Sequence, residues 1–258
     1  MPWDPAQYLR FADHRLRPAV ELLARVDIEA PRQIYDLGAG AGNVTALLKA
    51  RWPGAVVTGV ESSQAMLDRA RAANPEIEWE AADVAQWRAR RPADVIYANA
   101  ALHWLGGHDQ LFPALIEMLA PGGALAVQMP RNFDAPSHRL IAETVRGGPW
   151  RSTLEPLLRR APVRAPAYYY DLLAPRAAAV DVWETEYLHV LDGESPVLQW
   201  TKGTTLVPLL DALPEAQRGP FERRYAELLS EAYPRRSDGR TLFPFRRLFM
   251  VARAPSVD

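Results

Sequence analysis

The stretch Asp36-Leu37-Gly38-Ala39-Gly40-Ala41-Gly42-Asn43 begins where a short apolar run, Gln33–Leu37, gives out. Glycine at every second position lets the backbone bend sharply and lets a ligand approach it with no Cβ in the way. A helix opening at Asn43 would leave its first N–H groups without intrahelical partners, so they are free to donate. By itself such a turn is an ordinary strand-to-helix connection; three carboxylates give it chemistry. Asp36 directly precedes the glycines. Glu61 lies 19 residues beyond Gly42, at the end of Ala55–Val60, where a carboxylate can accept from both hydroxyls of a ribose. Asp83 follows a third run and could accept from an adenine amine.

This set calls for a nucleoside, and charge selects its kind. The dinucleotide fingerprint spaces its third glycine three residues after the second. Here the spacing from Gly40 to Gly42 is two, and Asp36 would repel a pyrophosphate. A cationic nucleoside suits the constellation better than NAD or a flavin.

The elements that must position these residues follow from hydrophobic period. Strands are expected at Gln33–Leu37, Ala55–Val60, Ile77–Ala81, Ala93–Ala98 and Ala124–Met129. Helices are expected at 15–26, Asn43–Arg51, Ser63–Ala73 and His108–Leu119, the last stopped by Pro121-Gly122-Gly123. The unbroken β-branched run Ala55–Val60 is what a strand buried on both faces requires. Strands alternating with helices at this spacing predict a parallel, doubly wound sheet with the three acids at its carboxyl edge. After Pro130 the chain becomes rich in Pro and Arg, with a strand expected at 180–191, helix over 195–233 and a last strand at Thr241–Arg253, where Pro244 marks an edge or a bulge. The expected fold is therefore α/β: a Rossmann-like, seven-stranded, mostly parallel doubly wound sheet with helical lid insertions.

Composition narrows the classes. The chain has no cysteine, which excludes disulfides, zinc ribbons and a cysteine nucleophile. No metal site is expected. A net charge of −1 provides no field to recruit nucleic acid or an anionic membrane. No apolar window of about 18 residues is present, and the opening MPWDPAQYLRF lacks the pattern of a signal peptide, so a cytoplasmic enzyme is expected.

The order DLGAGAGN, VESS, AADV, ANAALHW, PGG resembles the class I S-adenosylmethionine (SAM)-dependent methyltransferases. The resemblance implies SAM as cofactor, with Asp36, Gly38, Gly40, Gly42 and Asn43 lining the methionyl and ribose pocket and Glu61 on the ribose. It places Ser62 and Met66 beside the adenine, Asp83 and Val84 at the adenine edge, and Asn99 and Ala100 beside the sulfonium. An N-terminal arm carrying Trp3 and Tyr8 would fold over the cofactor, or simply staple the terminus down. The implied domains are an arm and helix at 1–30, a SAM-binding core at 31–130, and a lid and substrate region with the last two strands at 131–258.

More narrowly, the chain resembles the trans-aconitate 2-methyltransferases nearly end to end. The shared pieces include Trp3-Asp4, Gln7-Tyr8-Leu9, Gln128-Met129-Pro130, Asn132, Pro136-Ser137-His138, Trp200-Thr201-Lys202-Gly203-Thr204 and Phe243-Pro244. Ala39 and Ala41 depart from the Cys and Pro expected in the glycine loop; both are small. The resemblance implies methylation of one carboxylate of a small polycarboxylic acid. A carboxylate of pKa near 4 is ionised at pH 7, so no general base is required and no catalytic residue is expected.

The carboxylates not being methylated need cationic partners, and arginine forks suit them. Arg131, directly after the fifth strand, is the first candidate; Arg246 or Arg247 and Lys202 are the second. All but two of the 30 basic residues are arginines, so most are solvated surface charges. His103 could hydrogen-bond the substrate, act as base for a hydroxyl acceptor, or merely cap a helix, and Trp104 reads as a packed pocket wall. His138 could touch the acid or stand solvated beside a helix-starting Ser137. Of Tyr168-Tyr169-Tyr170, at most two can face one pocket. The alternatives are another small acceptor (a hydroxyl, an amine or a carrier-bound carboxylate) and a non-catalytic SAM- or NAD-binding regulator.

Overall fold

A computed structural model describes residues 12–158 and 163–256. Five parallel strands follow the predicted alternation: β1 Gln33–Leu37, β2 Val56–Glu61, β3 Glu78–Ala81, β4 Ala93–Asn99 and β5 Leu119–Pro130. With β6 (Ala179–Leu191) and β7 (Thr241–Arg253) they make a seven-stranded sheet in the order β3-β2-β1-β4-β5-β7-β6. β7 runs antiparallel to β5. All five residues of β1 are buried, as a strand with helices on both faces must be. β6, on the sheet's edge, alternates instead, with Glu184, Glu186, Leu188 and Val190 exposed. Charges on such an edge discourage pairing with another chain.

The helices are α1 Ala12–Ala24, α2 Asn43–Arg51, α3 Gln64–Ala73, α4 His108–Glu117, α5 Pro136–Gly147, α6 Arg151–Leu154, α7 Pro166–Leu173, α8 Pro196–Lys202, α9 Val207–Ala212 and α10 Glu215–Ala232. None described is long and apolar enough to cross a membrane. The helix expected over 195–233 is thus three helices. Pro208 is the second residue of α9 and Pro214 immediately precedes α10, positions where a missing N–H breaks no intrahelical bond.

One expected boundary is corrected. Pro121-Gly122-Gly123 does not end the helix, which stops at Glu117; the three residues lie inside β5. There the β4–β5 register slips between Ala93 and Val95, so the segment forms a bulge. A Cβ on Gly123 would meet the Ala93 carbonyl at 2.7 Å, which is why the strand can hug its neighbour only with glycine there. Pro244 lies past the last β5–β7 pair, Pro130 with Arg247, so its absent N–H costs no bond on that side.

The described residues form two compact units, one drawn from 16–130, 163–185 and 247–256, the other from 12–15, 131–158 and 186–246. In the first, β1 lies between β2 and β4, so the order of strands reverses beside it, and crevices at such switch points bind ligands in parallel sheets. Tyr97 on β4 donates its hydroxyl to the Ala19 carbonyl at 2.6 Å, tying α1 to the sheet. The second unit has its own core, in which Trp150, Trp200, Phe221, Phe243 and Phe245 are buried. Ser137 is gripped there by two tyrosines: its N–H donates to Tyr233 Oη at 3.0 Å and its carbonyl accepts from Tyr225 Oη at 2.7 Å.

Candidate cofactor and substrate site

Gly38, Gly40 and Gly42 all take positive φ, at 72°, 57° and 87°. A Cβ on Gly38 would lie 2.4 Å from the Ala101 Cβ, so the loop can pass the end of β4 only without a side chain. At Gly40 a Cβ would meet nothing within 4 Å, leaving open space from which a ligand can reach the main chain. Gly42 serves packing rather than the pocket, because its missing Cβ faces the Trp79 ring at 2.6 Å.

Glu61, half-buried at the end of β2, clamps this loop. Its Oε2 accepts from the Gly40 N–H at 3.0 Å and its Oε1 from the Ser63 N–H at 2.9 Å. The Ser62 hydroxyl is 3.5 Å from Oε1. Each carboxylate oxygen can accept more than one bond, so both keep capacity for ribose hydroxyls.

Asp36 on β1 is buried and accepts from Thr45 Oγ1 of α2 at 2.6 Å. Burial raises its pKa from 3.8 to about 7; the Thr45 hydrogen bond opposes the rise and repulsion from Glu61 adds to it. A carboxylate whose ionisation is disfavoured by burial and a neighbouring acid is relieved by a cation beside it. Sequence reasoning placed Asp36 against the ligand but did not find Thr45, which holds the carboxylate in place.

Met66 is buried in α3, and Ser62 and Asn43 are exposed. Asp83 is exposed and accepts the Ala85 N–H at 2.9 Å, while Val84 beside it is half-buried. Ala100, at the end of β4, is held at φ 52° with its N–H on the Gln128 carbonyl at 2.9 Å. A left-handed alanine costs of order 1 kcal/mol and persists where its surroundings over-determine it. Asn99, expected beside the sulfonium, meets here a polar group that the sequence did not offer as a ligand candidate, Gln128. Asn99 and Gln128 are register partners on β4 and β5. The Asn99 Oδ1 and both amide atoms of Gln128 are buried with no hydrogen-bond partner.

His103 is buried on the short 3₁₀ turn Leu102–Trp104, with its ring 4.5 Å from that of Trp104. Trp104 is 45 % exposed. His138 is partly buried against Phe133 and, by desolvation with Asp134 opposing, is pushed down to about 4, so it is neutral at pH 7. α5 opens at Pro136, and Ser137 acts as the tyrosine-held residue, not as a side-chain cap. Of the three tyrosines only Tyr169 is buried, on His108, and Tyr170 is exposed. Tyr8 and Trp3 lie outside the described residues.

Arg131 and Arg246 come together: the Arg131 N–H donates to the Arg246 carbonyl at 2.9 Å, and both line one cavity. Lys202 does not join them. Its ammonium is paired with Glu222 at 2.8 Å, so in the ligand-free protein its charge is balanced there. Arg247, the alternative to Arg246, is buried.

The donor set fits SAM. A main chain open at Gly40, a ribose-height carboxylate already oriented and a mutually repelling acid pair match the backbone contacts, hydroxyls and positive charge of that molecule. A methyltransferase-domain model matches residues 34–123, the stretch that carries these groups. Among solved structures, the YcgJ protein of Bacillus subtilis superposes with a TM-score of 0.61 at 12% identity, covering 93% of this chain and 99% of that one. Phosphoethanolamine N-methyltransferase 2 of Haemonchus contortus, in complex with S-adenosylhomocysteine, gives 0.57 at 13%, over 93% of this chain and 53% of that one. Fold and site together define a class I SAM-dependent methyltransferase. The chain is 50% identical over 250 residues to the trans-aconitate 2-methyltransferase of Azoarcus sp. (strain BH72), covering 97% of this chain and 98% of that protein. It is 49% identical over 257 residues to that of Methylobacterium radiotolerans, covering 98% and 99%. The protein belongs to the trans-aconitate 2-methyltransferase family.

Proposed function

We propose that the protein transfers a methyl group from SAM to one carboxylate of trans-aconitate, giving the monomethyl ester and S-adenosylhomocysteine. The observation that carries this reading is the extent of the likeness. About half the residues match relatives of that name over 97% of the chain, far beyond the cofactor domain shared by the whole class.

When bound, SAM supplies an electrophilic methyl on a sulfonium. Glu61 receives the ribose hydroxyls while still holding Gly40 and Ser63, so the pocket is ordered before the ligand arrives. Asp36 and Glu61 provide the negative field that favours a cation. The acceptor is ionised at neutral pH, so no residue need remove a proton. The protein's contribution is alignment, which can supply roughly 7–11 kcal/mol of the barrier, together with exclusion of the water that would blunt a carboxylate nucleophile.

The test is a methyl-transfer assay with labelled SAM against trans-aconitate, cis-aconitate, malonyl carrier protein and small hydroxyl and amine acceptors. Alkali-labile ester formed from trans-aconitate supports the reading. Transfer only to another acceptor overturns the substrate, and firm SAM binding with no transfer to any acceptor makes the protein a SAM-binding regulator.

A further inference from the structure

The second unit contains a cavity of about 510 Å³ that the cofactor site does not account for. Three arginines line it, each from a different element: Arg131 after β5, Arg246 on β7 and Arg236 in the turn beyond α10. Asn132 also lines it. The Arg246 N–H donates to Asn132 Oδ1 at 3.3 Å, which fixes the amide's orientation, and Nδ2 is then buried with no partner. A buried N–H₂ next to cations asks for an acceptor, not another donor. Two carboxylates also line the cavity, Asp134 and Glu186. Glu186 lies 3.8 Å from the Arg246 guanidinium with both side chains about half exposed (56% and 48%), a pair loose enough for a ligand to displace. The remaining wall includes Leu242, Pro244 and Tyr233, whose surfaces suit a carbon skeleton.

We propose that this cavity binds a small polycarboxylate anion, its carboxylates on Arg131, Arg246 and Arg236 and its backbone against Leu242 and Pro244. Cations spread over three elements match several separated carboxylates better than one compact phosphate, and arginine forks grip carboxylates in two-point fashion. The cavity's size lies in the usual range for small-molecule sites. The shared chemistry is the tricarboxylate; the source is either the methyl acceptor itself or a second acid of the same kind.

Titration calorimetry with trans-aconitate and with tricarballylate, its saturated analogue, tests this on the full chain. Arg246→Gln and Arg236→Gln alter exposed side chains, and Arg131→Gln keeps the N–H that bonds the Arg246 carbonyl; unchanged melting temperatures verify folding. Arg224→Gln, on an exposed pair with Glu227 outside the cavity, is the control. Each cavity variant is expected to weaken tricarboxylate binding roughly tenfold or more, with SAM affinity unchanged. If the KM for trans-aconitate rises in step while kcat holds, the bound acid is the acceptor. If KM stays constant while tricarballylate affinity falls, the cavity holds a separate tricarboxylate. Absence of binding to the wild type, or variants within twofold of the Arg224→Gln control, overturns the proposal. A wild type that binds the acid here but never methylates it would leave the cavity standing and sink the functional reading alone.

Discussion

Replacing Asp36 with asparagine separates the structural cost of that carboxylate from its use. Its pKa rises from 3.8 to about 7 on folding, a shift of about 3 units. At 1.36 kcal/mol per unit, the ionised group destabilises the empty fold by about 4 kcal/mol. Because the folded value lies above the unfolded one, the loss is absent below pH 4, accumulates as pH rises toward 7 and is complete above it. Asparagine has no charge to desolvate and can still accept from Thr45 Oγ1. In urea titrations of the ligand-free protein, Asp36→Asn should therefore exceed the wild type in stability at pH 8, with the difference vanishing near pH 4. Cofactor binding should move the other way. Loss of the negative group is expected to weaken SAM by roughly 10–150-fold, the range for a hydrogen bond to a charged group. In the wild type, SAM affinity should climb with pH up to about 7 as Asp36 ionises, then level off. An Asp36→Asn protein less stable at both pH values, with SAM affinity intact, would refute the electrostatic reasoning and make Asp36 a purely structural partner of Thr45.

Gly38→Ala places a Cβ 2.4 Å from that of Ala101 at φ +72°, so it should destabilise the protein by about 2 kcal/mol or more and abolish SAM binding, as read by thermal melts with and without SAM. Lys202→Met should leave the KM for trans-aconitate within twofold, since the ammonium serves Glu222. A double-mutant cycle with Glu222→Gln should give a coupling of about 1 kcal/mol, and a KM increase without coupling would return Lys202 to the substrate.

The cofactor half was legible because its logic is local. Asp36, the glycines and Glu61 sit at strand ends fixed by hydrophobic period, and strands that alternate with helices leave little choice of topology. What the sequence hid depends on distant partners. Lys202 reads as a free cation until Glu222, 20 residues on, is folded beside it. The Pro121-Gly122-Gly123 segment carries a helix-stop signal, yet the close approach of β4 turns it into a bulge. Trp79 gave no sign that its ring would fill the space left by Gly42 and Gly59. Arg131 was found by position alone, but its companion Arg236 meets it only through the turn after α10.

The double duty of Glu61 constrains how this pocket can change. One side chain anchors the loop and, in the function proposed, would also receive the sugar, so natural drift or laboratory redesign could not tune nucleoside preference at position 61 without loosening the bend at Gly40 and the turn at Ser63. Retargeting would have to proceed from the side proposed for the adenine, where Ser62 and Asp83 are exposed, leaving the clamp as a fixed point around which recognition evolves.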